Sequence, residues 1–222
     1  MNTFKNSHII AKILAFLMLA GALINLYASH TMSVQLEILN NMAIGIEYSD
    51  EAIDASDSAV TISGLFQMVT YFICAVFISI WTYRTVYNAK VMSLDPLPIG
   101  PGLAVGSYFI PILNLWKPVQ AISAARKVFI TAGGNNPGGG YFIPLWWTAW
   151  LVSNVLGQAS FRMSNFGEDI DEIIAYTRVT MYSDTVDVLL YLVTLAMILH
   201  ISGLNRWAAK SLEDGMSTAD AQ

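Results

Sequence analysis

Charged residues are scarce in this sequence, and their scarcity excludes an ordinary soluble domain. Asp, Glu, Lys and Arg make up 12% of the 222 residues, whereas hydrophobic residues make up 55%. A typical soluble domain carries about 25% charged residues. Too few charges remain to cover a water-facing surface of this size. The net charge of −5 also gives no reason to expect nucleic acid as a partner.

Cysteine and histidine are also scarce, which excludes several kinds of site. Cys74 is the single cysteine, so no internal disulfide can form. The histidines are scattered, at His8, His30 and His200, and predict no metal cluster. The glycine-rich stretch 133–140 lacks the Lys-Ser or Lys-Thr that ends a phosphate loop, and we interpret it as a flexible linker. We therefore expect neither enzymatic activity nor a cofactor.

Long apolar runs are abundant and predict an all-α, multi-pass membrane protein. A helix needs about 20 apolar residues to cross the hydrocarbon core of a bilayer. Runs of about that length predict four spanning helices in a single domain over residues 1–222, at about 9–28, 58–83, 141–161 and 185–205. A cleavable signal peptide is the alternative interpretation of the first run.

A fifth apolar stretch, 96–118, is rich in proline and glycine. Proline removes a backbone donor and clashes with the preceding helical turn. Irregular backbone at membrane depth is tolerated only where protein surrounds it. The stretch therefore predicts a broken segment, either re-entrant or interfacial, rather than a fifth span. A basic amphipathic stretch, 119–130, follows it.

The basic residues predict the orientation. Nine of the eleven lie in the N-terminal segment, in the loop between the second and third spans, or in the C-terminal tail: Lys5, Lys12, Arg84, Lys90, Lys117, Arg126, Lys127, Arg206 and Lys210. Cytoplasmic loops carry an excess of Lys and Arg. Both termini and the central loop are therefore predicted to be cytoplasmic.

The two outer segments contain apolar residues at helical spacing. Val34, Ile38, Met42 and Ile46 predict that the first span continues outward as a helix that turns near residues 48–50. A similar pattern at 170–177 predicts a helix after the third span. The six tryptophans lie near the predicted cytoplasmic ends of the spans, which indicates an anchoring belt. An aromatic pocket open to the cytoplasm is the alternative.

Three runs in the middle of the chain, 81–88, 104–118 and 146–150, are distinctive. The residues that we single out in them as a structural or binding motif are Tyr83, Arg84, Asn88, Gly106, Pro111, Asn114, Trp116, Pro118, Trp146 and Trp147. Through these runs the chain resembles a bacterial integral membrane family catalogued only as a domain of unknown function. The resemblance covers about residues 65–205. It implies a four-helix membrane fold and a location in the inner (plasma) membrane of a bacterium, and it implies no activity.

The chemistry of the broken segment suggests a structural elbow. Pro111 frees a backbone carbonyl near Ser107, and the amide of Asn114 is predicted to satisfy such a group. Gly102 and Gly106 have the spacing that allows close contact between helices.

Arg84, near the end of the second span, has several possible roles. It is predicted to snorkel, with capping of the free carbonyls or binding of a lipid phosphate as alternatives. The expected partners are the bilayer, anionic phospholipid and an unidentified membrane protein. The first functional hypothesis is a non-enzymatic component that interacts with lipid or protein through the broken segment. The alternative is a small transporter or channel subunit whose path that segment lines. The spans hold few ionisable residues, with Lys12 and Asp187 at their ends, which favours the first hypothesis.

Overall fold

The computed structural model describes residues 4–5, 7–134, 136–164 and 169–219. Its regular elements are six α-helices and a 3-10 turn over Leu113–Leu115. The helices are α1 (His8–Ala43), α2 (Asp50–Met92), α3 (Pro101–Gly106), α4 (Lys117–Gly133), α5 (Phe142–Met163) and α6 (Ile170–Ala219). No strand occurs in these described ranges, which confirms the all-α class. Asn135 of the glycine-rich stretch and Glu168 of the second outer segment lie outside the described residues.

Three of the helices are long and apolar enough to cross a membrane, namely α1, α2 and the part of α6 over Ile170–Gly215. The predicted span 141–161 corresponds to α5, whose 22 residues reach about 33 Å at 1.5 Å per residue. α5 is not among the helices that length and composition identify as candidate spans, and it contains three tryptophans, Asn154 and Gln158. The fourth crossing therefore stays a prediction.

The first outer segment folds much as its periodicity predicts. α1 continues past the predicted span to Ala43, and α2 begins at Asp50. Gly45 in the intervening turn has a φ of 85°, a left-handed conformation that glycine adopts without a steric penalty. The backbone N–H of Ala52 donates to the hydroxyl of Ser49 at 3.3 Å, which caps the start of α2. Ile46 lies in the turn rather than on the predicted helix.

The proline-rich stretch contains short elements instead of one helix. α3 is six residues long and begins at Pro101, where the missing backbone donor costs nothing. Turns and the 3-10 turn then lead to α4, which has Pro118 in its first turn. One face of α4 is buried, at Pro118, Ala121, Ile122, Ala125 and Phe129, as the amphipathic stretch predicts. The placement of this segment in a membrane stays a prediction.

The chain divides into two compact units. The first comprises Met1–Phe16, Cys74–Trp147 and Thr194–Gln222, and the second comprises Leu17–Ile73 and Thr148–Val193. Among the described residues, the largest buried side chains of the first unit include Trp81, Phe129, Ile143 and Met197. The second unit buries a high proportion of polar side chains, namely Asn25, Thr31, Ser63, Thr177, Ser183 and Asp184.

Candidate functional site

Trp81, in the first of the three runs, points into the first unit. Its side chain is 1% exposed, and its Nε1 donates to the hydroxyl of Ser202 on α6 at 2.9 Å. The next residue, Thr82, is also buried, and its hydroxyl lies 3.3 Å from the hydroxyl of Tyr108. An indole that donates to protein and has almost no exposed surface cannot anchor to lipid. The anchoring prediction is therefore wrong for Trp81.

Asn88 fixes the N-terminal segment to α2. Its Oδ1 accepts from the backbone N–H of Lys5 at 2.8 Å, and its Nδ2 donates to the carbonyl of Lys5 at 2.9 Å. Nδ2 also lies 3.3 Å from Oδ1 of Asn205, whose own amide nitrogen donates to Ser7 at 3.1 Å. The two asparagines thus join α2, α6 and the residues before α1 through side chains that are almost fully buried.

Lys5 makes a second contact with the same run. Its ammonium nitrogen lies 4.6 Å from the ring centroid of Tyr83 and 4.3 Å from that of Tyr87, and the two rings are stacked. A cation over an aromatic face is attracted by about 0.5–1 kcal/mol at an exposed site. Tyr83 therefore contributes to holding the N-terminal segment. Arg84, between these two rings in sequence, is half-buried.

The contacts of Asn88 with Lys5 and Asn205 are called the Asn88 clamp below. A basic pocket of about 200 Å³ adjoins this clamp. Its lining residues are Phe4, Lys5, Ser7, His8, Asn88, Asn205, Arg206 and Ala209. Nη1 of Arg206 lies 3.3 Å from Nδ1 of His8, and Arg206 is exposed. The pocket therefore combines two basic side chains, Lys5 and Arg206, with neutral amide and hydroxyl groups. Such a set can hold an anionic oxygen group.

The elbow, which we define as residues 107–116, differs from its predicted chemistry. The backbone N–H of Asn114 donates to Ile110 at 2.8 Å, but its side-chain Oδ1 is buried without a hydrogen-bond partner in the described part of the chain. Among these residues no hydrogen bond joins its amide to a carbonyl near Ser107, so the predicted cap is not found. Gly102 and Gly106 face open space rather than a neighbouring helix, so the predicted close contact is wrong.

The elbow exposes apolar side chains on both sides of Pro111, which is itself exposed. Five large apolar side chains are exposed there: Phe109, Ile110, Ile112, Leu115 and Trp116. The exposed fraction reaches 70% at Phe109. The flanking helices α3 and α4 contribute Ala104 and Ala121 to a small core that also contains Val86 and Ile99. A cluster of exposed apolar side chains on an ordered base is typical of an interaction surface.

The paired tryptophans of the third run are buried. Trp146 and Trp147 are 4% and 8% exposed, and their rings lie 5.5 Å apart. They pack within the protein and do not form the lipid-facing part of the predicted belt. Trp116 at the elbow keeps 44% of its surface exposed, and it is the tryptophan that best fits an interfacial role.

The glycine-rich stretch 133–140 contacts the fold at some of its described residues, whereas Gly134 and Pro137 are exposed. Its interpretation as a flexible linker stays a prediction. Nη2 of Arg126 donates to the carbonyl of Gly138 at 2.6 Å and to Oδ1 of Asn136 at 3.1 Å. A Cβ atom at Gly139 would lie 2.5 Å from the ring of His200, and Gly139 has a φ of 72°. Glycine is therefore required there by both space and backbone conformation.

A cavity of about 350 Å³ lies beside this stretch. It is lined by Pro137, Leu199, His200, Gly203, Leu204 and Trp207. The lining is mostly apolar, and the Nε of Arg126 lies 3.4 Å from Nε2 of His200 at its edge. The volume is within the usual range of small-ligand sites, roughly 300–1,000 Å³. An apolar molecule or chain segment fits this lining better than a charged one does.

The second unit contains a buried polar cluster that the sequence analysis missed. Nε2 of Gln67 donates to Oδ1 of Asn25 at 2.8 Å and to Oδ1 of Asp184 at 2.7 Å. One helical turn away, the carboxylate of Asp187 accepts a hydrogen bond from Ser153. Asn25 and Gln67 lie inside predicted spans, and amides within apolar runs are the signal that could have drawn attention to them.

Comparison with known proteins places the chain in a family without assigning an activity. A family model described as a domain of unknown function (DUF4328) matches residues 45–203, so the chain belongs to that family. The match confirms the family resemblance. No curated protein and no solved structure matches the chain. The Asn88 clamp reaches beyond the matched region at both ends, to Lys5 and to Asn205.

Proposed function

We propose that this protein is a four-span, non-enzymatic component of a bacterial inner membrane that binds anionic phospholipid at its cytoplasmic end. α1, α2, α5 and α6 are the spans, and both termini and residues 84–140 are cytoplasmic. The three apolar helices and the segregation of basic residues support this topology. Large apolar side chains exposed along α1 and α2 also support it, because lipid would cover them.

The observation that carries the proposal is the elbow. Exposed Phe and Trp beside the basic Lys117 are the composition of segments that lie in the membrane interface. Indole rings such as that of Trp116 prefer this zone. The elbow is held by the partly buried contact of Tyr108 with Thr82, so its exposed residues are presented on an ordered segment. The occupant of this surface is the headgroup and upper acyl region of the bilayer.

The basic pocket is the site for the lipid phosphate. Arg206 and Lys5 supply positive charge, and the amides and hydroxyls of Asn88, Asn205 and Ser7 supply neutral groups. Basic residues near an anionic leaflet contribute about 1 kcal/mol each. The sequence analysis gives Arg84 as an alternative site for this phosphate. The pocket is the better choice because two cations and several polar groups line it together.

Native mass spectrometry of the protein in mild detergent tests the lipid proposal. Arg206→Gln is expected to retain less than half of the anionic phospholipid that wild type retains. Lys90→Gln is the matched control, since Lys90 is exposed on α2 and does not line the pocket. Equal retention in both variants would refute the pocket. Loss of lipid in Arg84→Gln alone would assign the phosphate to Arg84 instead.

The topology has its own test. Single cysteines at Asp54 and at Asn135, in a Cys74→Ala background, are expected to react with an impermeant maleimide from opposite sides of the membrane. Asn135 lies outside the described residues, so this choice rests on the sequence alone. Reaction of both cysteines from the periplasmic side would contradict the four-span topology, independently of any lipid result.

The transporter or channel hypothesis gains support from the second unit rather than from the elbow. The predicted spans hold few ionisable residues, and this scarcity is the argument against a transporter or channel. Asp184 weakens that argument, because it is 6% exposed and bonded to Gln67, which lies inside a predicted span. Buried ionisable residues in membrane helices are typical of ion pathways.

A further inference from the structure

The carboxylate of Asp184 has more acceptor capacity than its surroundings satisfy. Oδ1 accepts one hydrogen bond from Gln67, at 2.7 Å. Oδ2 is buried and has no hydrogen-bond partner among the described residues. An ionised carboxylate offers about four lone-pair sites, so most of its capacity is unused.

The described hydrogen bonds of the neighbouring groups do not reach Oδ2 of Asp184. Both amide hydrogens of Gln67 are used, one toward Asp184 and one toward Asn25. The amide nitrogen of Asn25 donates to the carbonyl of Gly21 at 2.9 Å. The hydroxyl of Ser153 on α5 donates to Asp187, the nearest acidic group. The cluster therefore has an excess of oxygen acceptors over donors.

No positive charge compensates Asp184 within the described part of the chain. Its described partner is an uncharged amide, and Asp187 on the same helix adds a second negative group. The two arginines of the second unit, Arg162 and Arg178, are exposed. Placing a carboxylate in a dry site costs several kcal/mol unless it is paired or neutralised. A small cation at Oδ2 supplies that neutralisation.

We propose that Asp184, with the amide oxygen of Asn25, forms a binding site for a small monovalent cation, either H⁺ or Na⁺. One buried carboxylate carries one negative charge, which a monovalent cation balances. Carboxylate and amide oxygens are hard ligands that suit Na⁺, and a proton needs the carboxylate alone. This inference does not depend on the lipid-binding proposal, because it concerns different residues in the other unit.

A hydrophobic carbodiimide tests the site on the full-length protein in detergent. Such a reagent reacts with protonated carboxyls in apolar surroundings and poorly with ionised ones in water. At pH 6 in sodium-free buffer, peptide mapping by mass spectrometry should locate an adduct on Asp184. Asp184→Asn should lose this adduct, whereas the matched variant Asp187→Asn should keep it. Should Asp184→Asn fail to fold, mapping of the wild-type peptide still assigns the position.

Two further arms distinguish the cations. If the ligand is a proton alone, labelling should fall as the pH rises to 9 and should not respond to added NaCl. If Na⁺ binds, NaCl should suppress labelling at pH 6, whereas choline chloride at equal ionic strength should not. Arg206→Gln, which alters the basic pocket of the first unit, should leave the pH and NaCl dependence of labelling unchanged.

An infrared measurement removes dependence on reagent access. The difference spectrum between wild type and Asp184→Asn at pH 6, in sodium-free buffer, should contain the carbonyl band of one protonated carboxyl. Absence of both the adduct and this band would overturn the proposal, because Asp184 would then be ionised with no cation bound. An adduct that maps to Asp187 alone would overturn the assignment to Asp184.

Discussion

Removal of the Asn88 side chain is the sharpest test of how the first unit is held together. Asn88 is 2% exposed and makes three hydrogen bonds, two to the backbone of Lys5 and one to Asn205. A hydrogen bond contributes about 0.5–1.5 kcal/mol net, so the three together contribute about 3 kcal/mol. Asn88→Ala also raises helix propensity by roughly 0.5 kcal/mol. The expected net loss is therefore about 2–3 kcal/mol.

Thermal unfolding in a fixed detergent measures this loss. One kcal/mol shifts Tm by roughly 2–4 °C in a chain of this length, so Asn88→Ala should melt roughly 5–10 °C below wild type. Asn40→Ala is the control, because Asn40 is exposed on α1 and its side chain, among the described residues, bonds to Leu36 of its own helix. Asn40→Ala gains the same helix propensity as Asn88→Ala but keeps the hydrogen bonds of Asn88. If the two variants melt together, the contacts of Asn88 do not stabilise the fold.

Three other substitutions have expected outcomes that thermal unfolding also measures. Gly139→Ala should be destabilised by more than about 1 kcal/mol, because alanine disfavours the left-handed backbone and its Cβ would meet His200. Its control is Gly157→Ala in α5, where the new Cβ has open space, and this variant should melt no lower than wild type. Asn114→Leu should melt at or above the wild-type temperature, since it removes a buried oxygen without a partner; a lower Tm would reinstate the predicted cap. Trp81→Phe should cost about 1–3 kcal/mol through the lost indole donor, and unchanged stability would show that this bond contributes nothing.

Local features of the fold followed from the sequence because they depend on near neighbours. Apolar runs and their helical spacing predicted α1, α2, α5 and α6, and proline predicted the interruption between α3 and α4. The turn before Asp50 begins after Ala43, a few residues earlier than the predicted position near 48–50. In each of these cases the physical cause is local, namely a missing backbone donor or a repeating apolar face.

Partners distant in the sequence could not be predicted. Asn88 bonds Lys5 across 83 positions, so Lys5 belongs to an ordered clamp. The position of Trp81 near a span end is compatible with either a lipid-facing or an inward ring. Periodicity identifies the faces of a helix, but packing decides which neighbour each face meets. Asp184 was missed for the same reason, since its partner lies 117 positions away.

The contrast between the buried polar groups decides which of them is a binding site. Trp81 and Asn88 have matched donors and acceptors, as expected of groups that hold helices together. Four buried side-chain oxygens lack partners in the described part of the chain, on Ser56, Thr85, Asn114 and Asp184. The first three side chains are neutral, and each buried oxygen without a hydrogen-bond partner costs about 1–3 kcal/mol. Only Asp184 can carry a charge, and burying an unpaired ion costs several kcal/mol, a large part of the 5–15 kcal/mol that stabilises a typical fold. A fold that retains this carboxylate beside two amides is therefore more stable with a cation bound. Whether a cation occupies this site is the property that most directly distinguishes a carrier from a passive lipid-binding protein.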